Sequence, residues 1–208
     1  MRNFKMVVEY DGSAYRGWQR QKNGVSIQQV LEESIKKITS QKVAVIGSGR
    51  TDAGVHALNQ VASFRCNTKL PVNSIYRGIN SVLPEDIVVK EMEEVPFEFH
   101  AQRDVKSKIY VYKICNQKLR PVLGRNYSWF VRFDLDLAKM RQAAKYLIGT
   151  HDFSCFCATG TDVLDRVRTI KNIEIRNEQE GNIEIIVEAK GFLKYMVRNI
   201  IGTLVEVA

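Results

Sequence analysis

Within the eleven residues "GSGRTDAGVHA" (Gly47–Ala57), the ionisable side chains Arg50, Asp52 and His56 sit among the glycines Gly47, Gly49 and Gly54. Glycines let a backbone approach a ligand closely, and an arginine nearby favours the charged form of a carboxylate. One ionised aspartate can then act as nucleophile or base on an electrophilic ring or sugar. The nucleotide-loop templates fail here. In G-x-G-x-x-G the third glycine would be Asp52, whose charge repels pyrophosphate; in G-x-x-x-x-G-K-[ST], Val55-His56 stands where Lys and Ser/Thr must be. The residues after the stretch read as a strand, so no helix N-terminus is there to hold phosphate. A single carboxylate also excludes glycosidase-type chemistry, which needs two. The competing reading is a strand-to-strand turn in which Asp52 bonds its own backbone. His56 reads as structural, because carboxylate chemistry needs no imidazole.

A second group, His151, Cys155 and Cys157, forms H-x3-C-x-C. That spacing matches no common zinc pattern and no second Cys/His pair lies nearby, so no metal is expected. Four cysteines in 208 residues are too sparse for a disulfide framework, and they read as thiols in or near a core. With 45% hydrophobic and 26% charged residues the profile is that of a soluble globular protein. No apolar run approaches the ~20 residues of a membrane span. The N-terminus "MRNFKMVVEY" lacks the apolar block of a signal peptide, so a cytoplasmic protein is expected. The balance of 31 Lys+Arg against 23 Asp+Glu leaves a net charge of +8. Such a chain is drawn to polyanions by counterion release, or simply carries a basic solubilising surface.

The elements that would position these residues are set by periodicity. Phe4, Met6, Val8 and Tyr10 alternate with polar neighbours as a strand, ended by Asp11-Gly12. Ser26 caps a helix, with Gln29 in the capping-box position, Val25 and Val30 as a hydrophobic staple, and Ile27, Leu31 and Ile35 on the inward face. A short strand at 42–46 runs into the glycine stretch, and a further strand lies at 60–65. Pro71 opens a second helix with Ile75, Ile79 and Val82 inward, and "DIVVKEMEEV" is a fourth strand. The order β-α-β-β-α-β is the ferredoxin-like arrangement. The second half nearly repeats it: "KIYVYKI" as a strand, "YSWFVRF" as an extra one, a helix at 136–148, "TIKNIEIRN" and "NIEIIVEAK" joined by "EQEG", then a helix from "FLKYMVRNIIGTLVEVA".

The expected fold class is therefore α+β: two ferredoxin-like (RRM-like, βαββαβ) halves with mostly antiparallel sheets, residues 1–104 and 105–208. The second half lacks its last strand. The chain thus reads as a truncated form, with the edge of the strand at 108–114 left bare.

Five stretches, "YDGSAYRGWQRQ", "GRTDAGVHA", "FHAQRDVKSKIYVYKI", "HDFSCF" and "GFLKYMVRNIIGTLVEV", resemble in order the motifs of the tRNA pseudouridine synthase A (TruA) family, across essentially the whole chain. The resemblance implies isomerisation of uridine to pseudouridine in the anticodon stem-loop of tRNA, at positions 38, 39 and/or 40, with no cofactor and no metal. It implies that Asp52 is the catalytic aspartate, that Tyr110 stacks on the target uracil, and that Arg198 pairs with Asp52. A pair in a water-poor site costs roughly 3–5 kcal/mol to break. Arg50 is expected on the RNA backbone or splaying out the target nucleotide, which must leave its stack to be reached. A basic pool of Arg16, Arg20, Arg77, Arg103, Arg166 and Arg168 is expected along the tRNA groove. Where the family more usually has Arg after "FHA", Gln102 stands here, and Arg103 substitutes from the next position. A homodimer whose groove uses both subunits is implied as well. The rival reading, a pure RNA-binding module, lacks the RNP1 pattern on any expected strand and has no use for an Asp–Arg pair.

Overall fold

The computed structural model describes residues 1–160 and 163–208, and the chain divides into two compact units, Met1–Val105 and Lys106–Ala208. The described residues form a mixed α+β structure with two sheets and four α-helices. In the first unit, strand β1 (Arg2–Tyr10) buries Phe4, Met6, Val8 and Tyr10 on one face, as its period of two dictates. Helix α1 (Ile27–Thr39) starts where Ser26 Oγ accepts the Gln29 N–H, and its Ile27, Leu31 and Ile35 are fully buried. The rest of the capping motif is absent. Gln29 turns forward to Glu33 at 2.9 Å, and Val25 is half exposed, so neither the reciprocal cap arm nor the staple forms.

The expected strand at 42–46 shrinks to β2 (Ile46–Gly47). Side chains of α1 claim its backbone: Val45 N–H donates to Glu32 Oε1 at 3.1 Å, and Val45 C=O accepts from Gln28 Nε2 at 2.9 Å. Strand β3 (Ala57–Cys66), helix α2 (Val72–Val82) and strand β4 (Ile87–Val95) complete the unit. The sheet order is β2-β3-β1-β4, antiparallel throughout, so β1 lies in the interior of the sheet. Its buried face packs with α1 and α2 into one core that includes Trp18 and Tyr15 from the β1–α1 connection.

The second unit has the order β6-β5-β9-β8-β7, from β5 (Lys108–Asn116), β6 (Trp129–Val131), β7 (Gly149–Asp152), β8 (Val167–Asn177) and β9 (Asn182–Ala189). Helices α3 (Leu137–Lys145) and α4 (Met196–Val207) cover one face, with Met140, Ile185, Val187, Ile200 and Ile201 fully buried between them and the sheet. Three expectations change here. The edge of β5 is not wholly bare: β6 runs parallel to it at Ile114–Asn116, leaving the stretch before Ile114 without a strand on that side among the described residues. The helix expected to 148 ends at Lys145, where the Tyr146 and Leu147 N–H groups tighten onto Ala143 and Ala144. Strand β7 is an addition, since "GTHD" has no apolar alternation and is held at the sheet edge by β8 alone. Among the described residues no helix is long and apolar enough to cross a membrane.

Ser26 is buried and supplies the side-chain cap of α1. Ser26→Ala is expected to lower unfolding free energy by about 1 kcal/mol, read from the urea midpoint at unchanged slope.

Candidate active site

Asp52 lies in the loop between β2 and β3, and its position is set by a second segment, residues 10–18, which leaves β1 and runs alongside it. Trp18 N–H donates to Thr51 C=O at 3.1 Å, and Gly54 N–H donates to Tyr15 C=O at 3.3 Å. The Tyr10 and Thr51 hydroxyls are 2.9 Å apart. Gly17, at φ +84, passes so close that a Cβ there would stand 2.4 Å from Thr51 O and 2.9 Å from the Asp52 carbonyl carbon. On the other side, Ser48 N–H donates to Val61 C=O at 2.8 Å, and Gln60 Nε2 donates to Gly49 C=O at 2.5 Å. The loop is clamped along both flanks.

The segment 10–18 is itself anchored. The buried Tyr15 hydroxyl donates to Asp86 Oδ1 at 2.6 Å, and Asp11 N–H donates to Asp86 C=O at 2.9 Å. Burial first, and then the Asp86 carboxylate, push the Tyr15 phenol well above the usual tyrosine range. His56 Nδ1 stands 3.1 Å from Gly12 N and 2.9 Å from Asp11 Oδ1. One ring nitrogen cannot accept and donate at once: with Nδ1 bare it accepts the Gly12 N–H, and with the proton on Nδ1 it donates to Asp11 instead.

Asp52 is half-buried. No Asx-turn forms: the Gly54 N–H that would bond the Asp52 carboxylate donates to Tyr15 C=O at 3.3 Å, and Val55 N–H donates to the Asp52 backbone carbonyl at 3.2 Å. Among the described residues of its own unit, the carboxylate makes no hydrogen bond and no ion pair. Arg50 is exposed and is not paired with Asp52, so their closeness in sequence does not become an ion pair. Arg103 is also exposed, in a turn where its N–H bonds His100 C=O at 3.0 Å. Of the wider basic pool, Arg20 is tied to Glu32 at 2.8 Å, and Arg168 bonds the carbonyls of Asp165 and Val167, while Arg16 and Arg77 are exposed.

In the second unit, Tyr110 and Tyr112 share one face of β5. Tyr110 meets the Phe192 ring edge-on at 4.9 Å, so it packs against the core and stays partly open. Burial raises the Tyr112 phenol above its ordinary value, and the charge of Arg198 opposes that shift. The Arg198 guanidinium lies 5.2 Å above the ring of Tyr195, a residue held in the left-handed region at φ +63 just before α4. Arg198 is exposed: flanking apolar residues of α4 are buried while the guanidinium leaves for solvent. Cys66 and Cys115 are buried as expected, but Cys155 is exposed. Among the described residues no three His, Cys, Asp or Glu side chains are grouped to hold a metal ion. The framing residues Tyr10, Tyr15, Trp18, Thr51 and Asp86 escape a reading by residue type. Tyr10, Tyr15 and Trp18 are marked only by the "YDGSAYRGW" stretch and Thr51 by "GRTDAGVHA", both of which carry the resemblance, while Asp86 lies outside all five stretches.

The first unit thus carries, on a loop clamped along both flanks, a carboxylate unpaired within that unit, and the second carries the Tyr195–Arg198 contact. A family model for tRNA pseudouridine synthase matches residues 6–104 and 143–208. A tRNA pseudouridine synthase A of Thermoanaerobacter sp. (strain X514) is 51% identical over 205 residues, covering 98% of this chain and 83% of the relative. A tRNA pseudouridine synthase A 2 of Clostridium perfringens (strain 13 / Type A) is 48% identical over 208 residues, covering 100% and 84%. The chain belongs to the tRNA pseudouridine synthase A family, a family of isomerases.

A side chain at Gly17 would meet backbone atoms of the Asp52 loop, whereas one at Gly124, also at positive φ (+72), would meet nothing within 4 Å. Gly124→Ala is expected to cost about 1 kcal/mol from φ alone, and Gly17→Ala about 1–3 kcal/mol more, in paired denaturant melts. Equal costs would show that the close approach does not constrain the loop.

Proposed function

We propose that this chain isomerises uridine to pseudouridine in the anticodon stem-loop of tRNA, at positions 38, 39 and/or 40, with Asp52 as the essential carboxylate and no cofactor. The observation that carries the reading is the half-buried Asp52 carboxylate, unpaired within its unit while its backbone neighbours are bonded on both sides. Family membership supplies the reaction class. The N1–C1′ bond of the nucleotide breaks, a C5–C1′ bond forms, the C5 hydrogen leaves as a proton and N1 gains one. Nothing is oxidised, reduced or hydrolysed, so the balance needs no co-reactant. Asp52 acts as nucleophile or base in this exchange.

In this reading Tyr110 stacks on the target uracil and assists removal of the C5 proton, and Arg198 is the cation that pairs with the Asp52 carboxylate. Arg50 and Arg103, both exposed, contact the RNA backbone and help hold the target nucleotide out of its stack. The net charge of +8 favours tRNA as the partner. The reading places the enzyme in the cytoplasm as a homodimer whose groove uses both subunits, with ferredoxin-like halves at 1–104 and 105–208. The antiparallel order β2-β3-β1-β4 in the first unit supports that description.

The test is tritium release from uracil carbon 5 of unmodified, labelled tRNA. The wild-type chain should release it, and Asp52→Ala should reduce release by roughly 10²–10⁴-fold or more while tRNA affinity holds. Unreduced release from Asp52→Ala would remove Asp52 from the mechanism. Absence of release from the wild type, with tRNA still bound, would favour an RNA-binding module instead. Because Arg198 is exposed, Arg198→Ala should slow release yet shift unfolding free energy by only about 0–1 kcal/mol. A large loss of stability in the melt would instead mark a buried ion pair.

A further inference from the structure

We propose that the Tyr10–Thr51 hydroxyl pair is a positioning device that sets the direction of the Asp52 carboxylate. The proposal rests on Asp52 being the essential carboxylate. Thr51 directly precedes Asp52, so its backbone torsions decide where that side chain points. Its carbonyl accepts the Trp18 N–H at 3.1 Å, and its Oγ1 lies 2.9 Å from the Tyr10 hydroxyl. Two residues beyond Asp52, Gly54 N–H is held by Tyr15 C=O at 3.3 Å. The carboxylate-bearing residue is bracketed on both sides without using its own oxygens.

Tyr10 is suited to act as the reference point. It ends β1, an interior strand of its sheet, and its side chain is only 3% exposed. The ring packs at 37° against Trp18 with centroids 6.2 Å apart, and both belong to the core of the unit. A phenol offers few rotamers once its ring is fixed, so its hydroxyl is a stationary point projecting from the core toward Thr51. Thr51 adds a β-branched side chain with restricted χ1, which couples the hydroxyl contact to the backbone. Among the contacts that bracket Asp52, this pair joins two side chains, so substitution can remove it without changing a backbone group.

A positioning role and a packing role give different results. Tyr10→Phe and Thr51→Val each delete one hydroxyl at nearly constant shape. Each should lower kcat for tritium release from labelled tRNA by about 10- to 100-fold, the size expected when a reacting group is misplaced by a fraction of an ångström, with KM within about twofold. The double variant should lose no more than the worse single one, because both remove the same contact. Thr51→Ser keeps the hydroxyl and should recover most of the rate lost in Thr51→Val. Melting temperatures measured alongside show how much of each loss is folding. Single-variant kcat within about twofold of wild type, multiplying losses in the double variant, or a loss in KM alone would each overturn the proposal. Asp52→Ala assayed in parallel separates the two levels. If it keeps full release, the reading of Asp52 itself falls; if it is inactive while Tyr10→Phe and Thr51→Val are normal, only the positioning role falls.

Discussion

The hydrogen bond from Trp18 N–H to Thr51 C=O, 3.1 Å long, joins the two segments on which the site depends. One segment leaves the end of β1 and the other leads into β3, and these strands are themselves paired in the sheet. The sheet therefore delivers both segments side by side, and the site adds only short-range contacts to strands already in register. Gly17 is what permits the approach, since a side chain there would overlap the carbonyl that accepts the bond. Anchoring continues outward through Tyr15 and Asp86, which tie the segment to the turn before β4. A loop held this way has little conformational entropy left to lose.

The same economy governs the charges. Glu32 on α1 uses one carboxylate oxygen for Arg20 and the other for Val45 N–H. Arg20 is thereby partly committed to holding the connection between α1 and β2, and is less free for a phosphate than its charge suggests. Arg16, Arg50, Arg77 and Arg103 are exposed and remain available to a polyanion. Net charge thus overstates the cationic surface that RNA could use, while local pairing identifies which arginines contribute to it.

Legibility in the sequence tracks the range of the interactions. The buried face of β1 and the Ser26 cap are set by neighbours within a few residues, and both are readable from spacing. The short β2 is not, because α1 side chains from more than ten residues away take the backbone groups that would have extended it. Strand β7 has no pattern of its own and exists because β8 offers an edge. At the site, Asp52 stands out by residue type among glycines. Its frame does not, since Tyr10–Thr51 and Tyr15–Asp86 join residues 41 and 71 positions apart. The exposure of Arg198 is hidden for a related reason: its flanking residues are apolar, and which side of α4 faces water is decided by packing against the sheet.

The clamp grips Thr51 and Gly54 rather than Asp52, and the reason lies in what a carboxylate can do. Had the loop been fixed through the Asp52 side chain, by an Asx-turn or an ion pair with Arg50, the oxygens holding the loop would be unavailable to a substrate. The structure separates the two tasks. Backbone carbonyls, amides and a hydroxyl pair set the geometry, and the carboxylate carries no structural role within its unit. A half-buried charge without a partner is unfavourable on its own, and only a loop fixed by other contacts can keep it there. In the proposed role of Asp52, a carboxylate whose direction is already set leaves little reorganisation for the reacting step.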